Sequence, residues 1–157
     1  MKRITIGKKE YTFEFTVEAA LYDECTEKLS GLFLTLGEGQ ENGDVKAVLS
    51  GIANIPQTTL ALFYAGLLEH HGDCGDETVL SKTDAKKLLK AYLDEHADEE
   101  NCDFYGVLEM LMGCMEDDGF FKRTGLTRMF SQAQDENGIP KPQDHKKSTK
   151  NKKASEK

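Results

Sequence analysis

The sequence predicts a mainly α (α+β) fold: an N-terminal two-stranded β-hairpin packed on about five helices, then a disordered C-terminal tail. Three observations predict it. Residues 4–15 alternate apolar and polar side chains around a Gly-Lys-Lys-Glu turn. Residues 16–130 carry apolar side chains at helical spacing, and from Ala133 the composition turns polar and lysine-rich. The organisation expected is therefore a folded body, 1–132, and a basic tail or linker, 133–157.

In the hairpin, Ile4 and Ile6 share one face of the first strand, and Tyr11, Phe13 and Phe15 share one face of its partner, while Thr12 and Glu14 point away. Gly7 supplies a positive φ at the turn without steric cost. A lone hairpin is marginal in water, so its aromatic face should rest on a helix. The next segment provides one. It should start near Thr16 or Val17, with Thr16 as its N-cap, and run to about Leu36, with Leu21, Cys25, Leu29, Leu32, Phe33 and Leu36 inward. Gly37 and Gly39 should stop it, leaving 40–44 as loop. A short second helix, Asp44–Asn54, would turn Val45, Val48, Leu49 and Ile52 inward.

Three later segments repeat an apolar i, i+3, i+4, i+7 pattern. Leu60, Phe63, Tyr64 and Leu67 begin the first, opened by Pro56 near the first turn and closed by Gly72. Ala85, Leu88, Leu89 and Tyr92 begin the second, capped by Ser81 or Thr83. Phe104, Val107, Leu108 and Leu111 begin the third, which starts at 101–103 and ends at Gly119. A last short helix is expected over Phe120–Met129. Beyond it the tail is too polar to offset the entropy of ordering it.

Charge and length narrow the function classes. The formal net charge is −8 over 157 residues. Residues 133–157 hold seven lysines against four carboxylates, net +3, which leaves 13 basic and 24 acidic side chains in residues 1–132, net −11. So acidic a body disfavours direct duplex binding, since phosphates call for Lys and Arg. No apolar run is long enough to span a bilayer, and the N-terminus lacks the apolar core of a signal peptide, so no membrane and a cytoplasmic location are expected. Cys25, Cys74, Cys102 and Cys114 form no C-x-x-C pair; they read as free thiols in a reducing cytosol, or as two disulfides in an exported protein.

Candidate chemistry is sparse. His70, His71 and Cys74 are metal-ligand types, but adjacent histidines point ~100° apart on a helix, and no second ligand pair follows. The acidic residues 94–103 lack the D-x-D-x-D-G loop that calcium needs. No G-x-S-x-G, P-loop or strand-borne G-x-G-x-x-G is present. Neither catalytic residues, nor a metal, nor any other cofactor is expected. The apolar Phe120, Phe121, Met129 and Phe130 either cap the core or form a partner-docking strip. The lysine pairs at 146–147 and 152–153 serve either as a tether or as a solubilising end.

The stretches ITIGKKEYTFEFTVEAALYDECTEKL, IPQTTLALFYAGLLEHHG and FYGVLEMLMGCMEDDGFFKRTGL resemble the tail assembly chaperones of long, non-contractile-tailed phages (siphophages) of Gram-positive hosts. The resemblance covers residues 4 to about 130 and rests on segment order and wording. It implies a small, acidic, helical, non-enzymatic protein that binds and solubilises the tape-measure protein during tail morphogenesis. It further implies recruitment of the tail-tube protein, self-association, action in the host cytoplasm and absence from the mature virion. In that family a programmed frameshift often adds a second domain, for which the lysine-rich end would be a linker. The alternative is a structural virion component, either a head–tail connector or a tail-completion protein.

Overall fold

The computed structural model describes residues 1–128, and residues 38–41 by their backbone alone. Two strands open the chain, β1 (Lys2–Ile6) and β2 (Lys9–Phe13), paired antiparallel with Ile4 opposite Tyr11 and Lys2 opposite Phe13. Helices α1 (Val17–Leu21), α2 (Asp23–Asn42), α3 (Val45–His71), α4 (Lys82–Glu95), α5 (Phe104–Asp117) and α6 (Phe120–Arg123) follow, and a further helical turn starts at Leu126. The described residues are mainly α with one β-hairpin. The expected boundary at 132/133, the tail and the residues Met129 and Phe130 lie outside the described residues.

The hairpin forms as its alternation dictates. Ile4, Ile6, Tyr11 and Phe13 are buried on one face. Gly7 takes φ +63°, and its amide donates to both carboxylate oxygens of Glu95, at 2.9 and 2.8 Å. The acidic end of α4 thus pins the turn. The aromatic face rests on α3, with Phe13 and Phe63 edge to face at 4.8 Å and Phe15 against Phe120 at 5.8 Å.

Helix α3 is the axis of the fold. From Thr58 to Leu67 eight residues are buried, including Ala61, Leu62, Phe63, Ala65 and Gly66, because hairpin and helices pack around it on several sides. Where β2 leaves the sheet it crosses α3 closely, and the Glu14 amide donates to the Gly66 carbonyl at 2.9 Å. A Cβ at Gly66 would stand 3.0 Å from Phe13 and 3.1 Å from Phe15, so the two rings lie close over the bare backbone at this crossing.

Four expectations are corrected. The first helix is two helices, broken at Tyr22, whose backbone is extended (φ −79°, ψ 104°) while its ring packs on Tyr64. Asp23 and Glu24 then open α2, where the helix dipole favours carboxylates. Gly37 and Gly39 do not stop α2; it continues to Gly43, which takes the left-handed conformation at the C-cap. The second and third expected helices are one, α3, running through Pro56. Proline inside a helix costs about 3 kcal/mol through its missing N–H and its clash with the preceding turn. The carbonyl it leaves without a donor belongs to Ile52, an exposed residue where water can take the bond, while Gly51 against Leu36 before it and buried Thr58 and Thr59 after it hold the helix in place. Finally, the region 120–129 is not one helix, since α6 stops at Arg123 before Gly125 (φ +80°).

Candidate functional site

Among the described residues, the first half of α3 presents an apolar face that no element covers. Before Thr58 the only buried residue of α3 is Gly51, which sits so close to α2 that a Cβ would meet Leu36 at 2.7 Å. That contact turns the opposite side of the helix outward. Val45, Leu49 and Ile52, expected inward, are 68%, 59% and 51% exposed. Their i, i+4, i+7 spacing lines them up on one face. The cause is the packing direction. Gly51 faces α2, about 100° round the helix from Ile52, and no described element covers the stripe.

The stripe runs on through Pro56 into a groove between α3 and α4. Pro56, Leu60, Leu89, Leu93 and Phe104 line a cavity of about 280 Å³. Phe104, expected inward on α5, is instead half-exposed at the wall of this groove. Thr59 fixes the corner: its hydroxyl donates to the Ile55 carbonyl and to the Phe104 carbonyl, each at 2.9 Å. The volume lies at the small end of ligand pockets, enough for a few apolar side chains. Lys86, Lys90 and Asp94, at successive i+4 positions on α4, form its polar rim.

Other groups singled out in the sequence are absorbed by structure. His71 is buried and accepts at Nε2 from the Thr12 amide at 2.9 Å, so the ring hydrogen is on Nδ1, 3.1 Å from Asp76. His70 turns away and meets Glu14 at 2.7 Å, while Cys74 is exposed. Among the described residues no three His, Cys, Asp or Glu side chains gather where a metal could be held. The hydroxyl and amide of Thr78, with the His71 ring, hold the Asp76 carboxyl well below the usual carboxylate range. The four cysteines are free, with Cys25 and Cys114 buried; burial pushes the Cys25 thiol up to about 12 and raises that of Cys114. Such thiols are poor nucleophiles.

Thr16 stands at the N-cap position of α1 but does not cap it, because its hydroxyl donates to Glu69. Asp118 receives the Phe15 amide at 2.9 Å and pairs with the N-terminal ammonium of Met1.

The expected partner strip divides. Phe120 is fully buried beneath Phe15, so it belongs to the core and is not open to a partner. Phe121 is half-buried against that core. Met129 and Phe130 lie outside the described residues.

The chain matches no protein-family model, no curated protein and no solved structure. The candidate site is defined by its own geometry. Its signal in the sequence was the run of apolar residues over 45–60, whose spacing is the same whether the face turns inward or outward; only the position of α2 decides. No helix of the described residues is long and apolar enough to cross a membrane.

Proposed function

We propose that this protein is a non-enzymatic assembly chaperone that holds an apolar helical client in soluble form, the client being a phage tape-measure protein. The observation that carries the reading is the exposed stripe Val45–Leu49–Ile52 continuing into the Pro56–Leu60–Phe104 groove, on a body whose residues 1–132 carry net −11. Exposed apolar tracks of this kind mark interaction surfaces. An amphipathic client helix would lay its ridge along such a track, as helices do in apolar grooves. The acidic body would keep the complex soluble through like-charge repulsion. The sequence resemblance to tail assembly chaperones names the client; recruitment of tail-tube protein, self-association, action in the host cytoplasm and absence from the virion belong to the same proposal.

The test is co-expression with the tape-measure protein of the same phage, scoring the client's solubility and co-purification. The reading expects a soluble complex, and its loss with Leu49→Lys/Ile52→Lys, two exposed positions whose substitution leaves the melting temperature within about 2 °C. A client that stays insoluble and unbound beside the wild-type protein refutes it. Recovery of this chain from purified virions by mass spectrometry would instead favour a structural component of the particle.

A further inference from the structure

Helix α4 carries four lysines on an acidic body, and they are not equivalent. Lys82 pairs with Glu24, and Lys87 with Asp84 at 3.2 Å. Lys86 and Lys90 make no ion pair among the described residues, are exposed, and stand on the rim of the α3–α4 groove. Four residues apart, they project one above the other on the same side of α4, about 6 Å apart along the axis. Asp94 continues the row and closes it with the opposite sign. The groove beneath is lined by Leu60, Leu89, Leu93 and Phe104.

We propose that this groove selects one kind of partner: an amphipathic helix whose apolar ridge is bordered by two acidic residues at i and i+4, which pair with Lys86 and Lys90. The inference deepens the chaperone reading, on which it rests, by naming the client segment. Charge complementarity carries it. The body as a whole is acidic, and on the rim of this groove Lys86 and Lys90 supply the positive charge that an acid-bordered helix needs. Asp94 limits the acidic stretch: a third carboxylate at i+8 would face it and be repelled. A cavity of about 280 Å³ takes the ridge's side chains rather than a whole small ligand.

The probes are two fluorescein-labelled 20-residue helical peptides with the same leucine ridge, one with Glu and one with Lys at the bordering i and i+4 positions. Fluorescence anisotropy with the full chain reads affinity for both. The Glu peptide is expected to bind about tenfold more tightly than the Lys peptide, since two attractions are replaced by two repulsions. The difference should shrink at high salt. With Lys86→Glu/Lys90→Glu the order should reverse, and circular dichroism should stay unchanged because both side chains are exposed. Equal affinities, an order unaltered by the charge reversal, or no binding of either peptide overturns the inference. A tape-measure protein that is still solubilised in those cases leaves the chaperone reading standing and shows that its contact lies elsewhere.

Discussion

Replacing His71 tests whether the hairpin is held to α3 by a specific clasp or by apolar contact alone. The ring is 6% exposed, and its centroid lies 5.1 Å from that of Tyr11. His71→Ala would leave the Thr12 amide without its acceptor, costing about 1–2 kcal/mol in a part-buried setting. Lost ring packing adds about 0.5–1.5 kcal/mol, and the total with the small void is about 2–4 kcal/mol. For a body of this size that lowers the melting temperature by about 8–15 °C. His71→Gln offers an oxygen close to where Nε2 stands and should recover about 1 kcal/mol. Thermal melting by circular dichroism, with hydrogen exchange at the Thr12 amide, reads both effects. A His71→Ala protein melting within 2 °C of wild type, or a Gln variant no better than Ala, would refute the clasp.

Three further outcomes are expected. Asp76 is held below the usual carboxylate range, first by the Thr78 hydroxyl and then by His71, and Glu24 is lowered chiefly by its bond to Lys82. Both therefore contribute stability that is present above pH ~4 and lost as pH falls through their folded values. Melting between pH 6 and 2.5 should show a shallower acid loss in Asp76→Asn/Glu24→Gln than in wild type; identical slopes would exclude these groups. Gly106→Ala should destabilise by about 2 kcal/mol or more despite alanine's better helix propensity, because a Cβ there would stand 1.8 Å from the Asn101 carbonyl oxygen. Chemical denaturation reads it, and an unchanged midpoint would contradict the crowding. Native-state alkylation should modify the exposed Cys74 first and spare Cys25 and Cys114 until the chain unfolds, as mass spectrometry of timed samples would show.

Sequence by itself determined what short-range chemistry decides. The β1–β2 faces follow from strict alternation, and Gly7 from the turn's need for positive φ. Ser81 caps α4 by accepting from the Asp84 amide, and Asp103 caps α5 by accepting from Gly106 at 2.8 Å, because a side-chain oxygen beside a helix start finds free N–H groups wherever the helix lies. Of the stripe expected inward on the first helix, Cys25, Leu29 and Leu32 are buried on α2, whereas Leu21, which ends α1, is 72% exposed.

Tertiary structure decided whatever depends on which neighbour arrives. Pro56 signals a helix start locally, yet packing carries α3 through it. Thr16 has the residue type of a cap, but Glu69, distant in sequence, takes its hydroxyl. The candidate site turns on the same distinction. Periodicity marks Val45, Leu49, Ile52 and Phe104 as one-sided without saying which side is covered. The close approach of Leu36 to Gly51 covers the opposite face of α3 and leaves the stripe uncovered by any described element. Lys86 and Lys90 gain their position only when α3 and α4 form a groove beneath them, since a lysine's surroundings, unlike a cap's, are set by elements far away in the chain.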